Sequence, residues 1–301
     1  MTTTVRTELI RPGMCGHNSL FAGQVGDWTW DAVGEACGTD VLRARSAAGT
    51  PAYLSFYYYR VRGSRRFHLR SPAFGDELHV ASRVFGFGSE SVLTLHRISR
   101  SPEAAAEPIE PEGFYAFADP DSLYVENFNR WVSRTAEGSN EGLARSSPPD
   151  FRYRHLPVVP EEYSPRHAYV RARQQLTFLD HHGDRPGAEL TVDYEVDPSR
   201  DLNGAGLLYF ASYFSIVDRA LLLAWRGLGR DDRSFLDRVV VDQQLCYLGN
   251  ADAGSPLILT VRQWLRGGDA DSEAFDVVLR DKGTGRLLAV CSLQLETGTS
   301  E

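Results

Sequence analysis

Gly75-Asp-Glu-Leu-His-Val-Ala-Ser-Arg-Val84 and Gly254-Ser-Pro-Leu-Ile-Leu-Thr-Val-Arg-Gln263 carry one pattern twice. Each stretch opens on a glycine, and Leu78 with Val80 stays in step with Leu257 and Leu259. Apolar residues at every second position after a glycine turn predict a strand with one buried face. The neighbouring signals also recur in the same order on both sides of the chain. Gly16-His-Asn-Ser-Leu-Phe-Ala opens a first helical pattern, with Phe21, Val25, Trp28, Ala32 and Ala36 at helical spacing. Gly204-Ala-Gly-Leu-Leu-Tyr-Phe opens a second, expected over Leu207 to Leu223 and apolar nearly all round, so it must be enclosed on every side. Strand patterns follow at Tyr53 to Val61 and Ser91 to Ile98, and again at Leu287 to Leu295. The reading is an α+β protein of two tandem halves, each a long helix wrapped by a curved antiparallel sheet. The halves are expected at 1–134 and 166–301. Residues 135–165, rich in Ser, Pro, Glu and Arg and containing Ser146-Ser-Pro-Pro149, read as the linker.

Composition removes several classes of function. A formal net charge of −8 disfavours nucleic acid as a partner. The four cysteines, at 15, 37, 246 and 291, have no CxxC spacing, which argues against a metal site and a disulfide framework. The N-terminus lacks a signal-peptide core, and Asp218 with Arg219 interrupts the most apolar stretch, Gly204 to Trp225. A soluble, cytoplasmic protein without a membrane partner is the expectation. No Gly-x-Ser-x-Gly, His-Glu-x-x-His or Gly-x-Gly-x-x-Gly is present, so serine-hydrolase, zinc-peptidase and dinucleotide readings find no support.

Two motifs resemble the hot-dog thioesterases. Gly75-Asp-Glu-Leu resembles that family's strand start, and Asp201-Leu-Asn-Gly-Ala-Gly-Leu-Leu-Tyr209 resembles its helix start. Ala205 stands where a histidine would be expected, which implies a non-catalytic second half. A longer likeness covers Arg11-Pro-Gly-Met-Cys-Gly-His-Asn-Ser-Leu-Phe-Ala-Gly-Gln-Val-Gly-Asp-Trp-Thr-Trp30 and Tyr53-Leu-Ser-Phe-Tyr-Tyr-Tyr-Arg60. These stretches are similar to the bifunctional acyltransferase/decarboxylase family of leinamycin-type polyketide biosynthesis. The resemblance implies a double hot-dog homodimer, and no cofactor is expected. It further implies that methylmalonyl-CoA is decarboxylated and the propionyl group is loaded onto the phosphopantetheine thiol of an acyl carrier protein. In that family a tyrosine carries the acyl chemistry. An acyl-CoA or acyl-carrier thioesterase, or a non-catalytic module that binds an acyl carrier, remains open as an alternative.

The candidate residues concentrate in the first half. Gly16-His17-Asn18, with Ser19, opens a helix whose free N–H groups would stabilise a thioester oxyanion. Equally, Asn18 or Ser19 caps the helix and His17 fills a polar niche. Tyr57-Tyr58-Tyr59 supplies three possible acyl-accepting tyrosines. Strict alternation would put Leu54, Phe56 and Tyr58 on the helix-facing side, which makes Tyr58 the first choice, although all three are also good packing residues. Phe21 and Phe56 are expected to line a poorly solvated pocket for the substrate carboxylate. Asp27, inside the helix, is either a base or a core carboxylate. Arg60, Arg62, Arg65, Arg66 and Arg70 suit coenzyme A phosphates or an acidic carrier surface, or else form a solvated turn. One site per chain, built mainly by the first half, is the expectation.

Overall fold

The computed structural model describes residues 3–266 and 272–296. The first half runs β1 (Thr4–Leu9), α1 (Asn18–Cys37), β2 (Tyr53–Arg62), β3 (Glu77–Gly86), β4 (Ser91–Ser99), α2 (Pro102–Ala106), α3 (Pro111–Ala116) and β5 (Ser122–Arg134). A crossing segment then carries β6 (Leu143–Arg145) and α4 (Arg166–Gln175). The second half runs β7 (Arg185–Glu195), α5 (Ser212–Gly227), α6 (Asp232–Asp237), β8 (Val239–Tyr247), β9 (Pro256–Leu265), β10 (Ser272–Asp281) and β11 (Leu287–Glu296). Strand order across the sheet is β1-β3-β4-β5-β2-β8-β11-β10-β9-β7, with β6 paired to β5. Read inward from either edge, the two halves have the same order, and they join where β2 meets β8. This is a double hot-dog.

The paired stretches at Gly75 and Gly254 behave alike. Both glycines have positive φ, 85° and 72°, and each is followed two residues later by its strand. Only glycine takes that turn without strain. The second helix differs from expectation, starting at Ser212 rather than Leu207. Asn203 is the reason: its side-chain oxygen accepts the N–H groups of Ala205 and Leu207, both at 3.0 Å. A short side chain that captures nearby N–H groups competes with the helix for them. The resulting loop, pinned by a bridge between Leu202 and Leu208, delays the helix.

Helices α1 and α5 lie against each other on one face of the sheet. Phe21, Val25, Trp28, Phe214, Val217 and Leu221 are buried between them and the strands. The opposite face is covered too. Ala105, Phe114, Val159, Ala172 and Phe178, from α2, α3 and the crossing segment, bury a second cluster with Phe85, Leu95 and Phe128. Strand positions pointing away from the helices are therefore apolar as well, and β5 is buried along nearly its whole length. Among the described residues, no helix is long and apolar enough to cross a membrane.

The helix crossing depends on Gly26, where an added Cβ would collide with the Phe210 ring. That ring cannot simply turn away, because it is stacked on Phe56 at 3.9 Å. Gly26→Ala is expected to lower stability by about 1–3 kcal/mol, although alanine is the better helix former. Chemical denaturation checks this; a stabilised variant would show that the crossing tolerates the methyl group.

Candidate active site

Strand β2 pairs with β5 along its whole length but with β8 only over Tyr58–Arg62. The segment Tyr53–Tyr57 therefore has one unpaired edge. A cavity of about 950 Å³ opens there, between the halves. Its walls come from α1 (Asp27, Trp30), this β2 segment and the 203–210 loop, with Asn250 and Arg286 opposite. The volume suits a small-molecule site.

A register shift between Phe56 and Tyr58 decides what the three tyrosines do. Tyr57 is the extra residue of a bulge, and a bulge reverses the alternation beyond it. Phe56, Tyr59 and Val61 consequently face the helices, whereas Tyr58 lies in the cluster on the opposite face. The expectation that Tyr58 shares the helix-facing side with Leu54 and Phe56 is corrected by that one inserted residue. Tyr58 donates its hydroxyl to Gln244 Oε1 at 2.8 Å, and Tyr59 donates to the Ala22 carbonyl at 3.1 Å. Complete burial pushes both hydroxyls well above the usual tyrosine pKa. Tyr57 is different. It is half-buried, it lines the cavity, and the Arg130 guanidinium carbon lies 4.8 Å from its ring centre. Burial raises its pKa, while the Arg130 charge opposes that rise.

Asp27 is open to the cavity and makes no hydrogen bond or ion pair among the described residues. Burial by the surrounding protein, then Asp31, raise its carboxyl pKa. Tyr209, from the loop before α5, lies close enough to feel that charge. Phe56 and Phe210 form a stacked apolar wall. Arg43 and Arg45 are exposed on the cavity lining.

Other residues singled out in the sequence lie elsewhere. Gly16, His17, Asn18 and Ser19 do not line this cavity: Asn18 and Ser19 bond to α5, and Gly16 and His17 are exposed. Asn18 donates to Asp218 Oδ1 at 3.3 Å, Arg238 donates to the same oxygen at 2.7 Å, and Ser215 donates to Ser19 Oγ at 2.7 Å. The Ser19 hydroxyl and His17 Nδ1 share a bond of 2.6 Å, and neither Asn18 nor Ser19 caps α1. Phe21 is fully buried against Trp28, away from the cavity, whereas Phe56 lines it as expected. The arginine run is dispersed. Arg60 forks onto Asp242 at 3.1 and 2.6 Å, Arg62 lies over the Phe117 ring, Arg65 pairs with Glu296, and Arg66 pairs with Asp121 at the surface. Arg70 donates to the Leu236 carbonyl.

The half discounted for Ala205 supplies one whole wall. Tyr209 and Asn203 belong to the Asp201–Tyr209 motif, whose likeness to a hot-dog helix start marks this stretch even though Ala205 replaces the histidine. Arg43 and Arg45 had no periodicity or motif to mark them.

A second cavity, of about 340 Å³, lies on the opposite face of the sheet. Tyr58, Arg60, Glu126 and Gln244 form its floor, and residues 162–171 close it from above. Burial lifts the Glu126 carboxyl to about 7, against the pull of Arg60 and Tyr115.

The family model described as "LnmK N-terminal Hot Dog Fold domain" matches residues 5–180. No curated protein matches the sequence. Among solved structures, a putative oleoyl thioesterase from Lactobacillus plantarum is similar at 11% identity and TM-score 0.63, over 99% of this chain and 98% of that one. The 12:0-ACP thioesterase from Umbellularia californica is similar at 13% identity and TM-score 0.61, over 98% and 94%. An acyl-ACP thioesterase from Bacteroides thetaiotaomicron is similar at 9% identity and TM-score 0.53, over 98% of both chains. At these identities the likeness is one of fold.

The raised carboxyl of Glu126 has a stability consequence. Its pKa rises from 4.5 to about 7 on folding, so the native state holds an extra proton between those values. Native stability is therefore unaffected by this group below about pH 4.5 and is lost as pH rises through 7. Glu126→Gln is expected to remove that loss, so the wild type should fall by roughly 1–3 kcal/mol relative to the variant between pH 5 and pH 8. Parallel denaturant titrations check this, and identical pH profiles would contradict it.

Proposed function

Because the chain belongs to the LnmK N-terminal hot-dog fold family, matched over residues 5–180, we propose that it is an acyltransferase/decarboxylase acting on an acyl-CoA thioester. In this reading it takes methylmalonyl-CoA, releases carbon dioxide, and loads propionyl onto the phosphopantetheine thiol of an acyl carrier protein for polyketide assembly. The observation that carries the reading is Tyr57, set on the wall of the large cavity beneath the Arg130 cation.

Tyr57 is the acyl acceptor of the three tyrosines. Its neighbours Tyr58 and Tyr59 are enclosed and their hydroxyls are already engaged. Arg130 favours the phenolate that must form for attack. As the phenolic oxygen bonds to the thioester carbon its proton passes to the departing sulfur and the C–S bond breaks, which leaves an aryl ester on Tyr57 and releases the coenzyme as its thiol. The carrier thiol then attacks the aryl ester, and the proton returns to Tyr57.

Decarboxylation breaks the bond between the α-carbon and the carboxylate, and the electron pair moves onto the thioester oxygen as an enolate. The first N–H groups of α5 are already engaged, Ser212 with the Tyr209 carbonyl and Phe214 with the Ala211 carbonyl, so the donor offered to that oxyanion is the Tyr209 hydroxyl on the cavity wall, which burial keeps protonated. The stacked Phe56 and Phe210 keep water from the carboxylate, which favours the dispersed charge of the transition state. Asp27, with its raised carboxyl, gives the α-carbon its proton. Arg43 and Arg45 suit the coenzyme phosphates.

Asp27 also favours a second reading. An unpaired carboxyl on the cavity wall would serve a thioesterase as the base that activates water. Incubation with methylmalonyl-CoA and a phosphopantetheinylated carrier separates the two, with the intact carrier weighed by mass spectrometry. A propionyl shift is expected; free thiol without loading would indicate a thioesterase, and no turnover would indicate a binding module. Tyr57→Phe should abolish loading. Tyr58→Phe and Tyr59→Phe should keep it and lose about 1 kcal/mol of stability each through their missing hydrogen bonds. Loading by Tyr57→Phe at the wild-type rate would overturn the assignment.

A further inference from the structure

The smaller cavity plays no part in the chemistry above. Its floor is a row across three strands, since Arg60 stands opposite Glu126 on β5 and opposite Gln244 on β8. Two members of the floor are committed: Arg60 forks onto Asp242, and Gln244 Oε1 accepts from Tyr58. Glu126 is not. It is only 4% exposed, it lines the cavity, and it makes no ion pair among the described residues. The buried Tyr115 hydroxyl lies near it, short of a formed hydrogen bond. The Ser164 hydroxyl, in the roof and also buried, has no partner either.

A cation lies in the same space. The Arg62 guanidinium carbon sits 3.8 Å from the Phe117 ring centre, and this side chain makes no ion pair among the described residues. Aromatic surface fills the rest of the wall, from Phe117, Phe178 and the stacked pair Tyr115 and Tyr163 at 4.5 Å. The mouth is accessible beside the exposed Glu162 and His167.

A buried carboxyl whose neighbouring cation, Arg60, is already forked onto another acid is costly, and so is a half-buried guanidinium without a counter-ion of its own. A simple anion would answer Arg62 and worsen Glu126. A simple cation would answer Glu126 and be repelled by Arg62. A molecule carrying both charges answers both. We propose that this outer cavity binds a small zwitterion of the amino-acid class, with its ammonium group on Glu126 and its carboxylate on Arg62. The ammonium would also meet the π faces of the tyrosines, and the guanidinium fork matches a carboxylate. Tyr115 and Ser164 offer the remaining hydrogen bonds. The space is at the small end of ligand sites, which limits the occupant to a single residue rather than a peptide.

Calorimetric titration with the common free amino acids tests this, alongside their methyl esters and N-acetyl forms, which each remove one charge. At least one free amino acid should bind with a Kd between about 1 μM and about 1 mM. Its ester and its acetyl form should bind at least about tenfold more weakly, as should Glu126→Gln and Arg62→Met with the free form. Affinity should rise from pH 6 to pH 8, because Glu126 must be ionised to hold the ammonium. The other charged or titratable groups facing that carboxyl are Arg60, Arg62, Asp242, Tyr58, Tyr115, Glu162, Tyr163, His167 and Arg171. Propionyl loading by Glu126→Gln should match the wild type, which confirms its fold and separates this site from the larger cavity. Binding of no free amino acid at about 10 mM, or undiminished binding by Glu126→Gln, would overturn the proposal.

Discussion

The two halves meet through five residue pairs, Tyr58–Arg62 against Asp242–Cys246, with Arg60 opposite Gln244 in the middle. Everything distinctive about the molecule follows from how short that ladder is. A strand paired on both edges has no spare hydrogen-bonding groups, but β2 continues for five residues with only β5 beside it. Its open edge cannot be sealed by β8, which ends at Tyr247. The chain instead leaves a space there and lines it with side chains from both halves. The large cavity is thus a consequence of register, and neither half would contain it alone.

The repeat generates two comparable helix starts, and the protein treats them differently. At the start of α1, Asn18, Ser19, Ser215, Asp218 and Arg238 bond to one another and close the space. At the start of α5, the equivalent region is occupied by a loop that Asn203 shapes, with Tyr209 and Phe210 reaching across to α1. Half-buried Asp218 has Arg238 as counter-charge, whereas Asp27 has none among the described residues and remains open to the cavity. A charge balanced by a cation closes a site. A charge left unbalanced beside a cavity is available for chemistry.

The crossing segment makes a second contribution that a linker would not. By covering the outer face of the sheet it encloses buried Tyr58, Glu126 and Asp242, with half-buried Arg60 among them. Arg60 satisfies one of the two acids with ideal fork geometry, and the other is left to burial. The bulge at Tyr57 is what sends Tyr58 to this face, so one inserted residue divides the tyrosine run between two environments.

The doubled glycine-led strand pattern, the two helical patterns and the strand at Tyr53 were legible because they are local. Apolar periodicity of two or of near four reports directly on which face of an element is buried. The family likeness in the first 90 residues, the cavity role of Phe56 and the place of Asp27 within α1 were legible on the same terms. The phase of the tyrosines was not, since strict alternation holds only until a bulge, and that bulge exists to match β2 to β5. Nor was the location of the site. The sequence placed it at Gly16–Asn18 because a helix start is an oxyanion site wherever a cavity adjoins it, but only the packing of α5 shows that Asn18 and Ser19 bond to that helix and that the cavity opens elsewhere. Arg60 and Arg62 read as surface charge because the segment that covers them lies more than 90 residues away. Sequence by itself determined the elements, their repetition and the family. Tertiary structure decided where the cavity opens, which tyrosine remains free and which acids lack a counter-ion of their own, because each depends on groups brought together from distant parts of the chain.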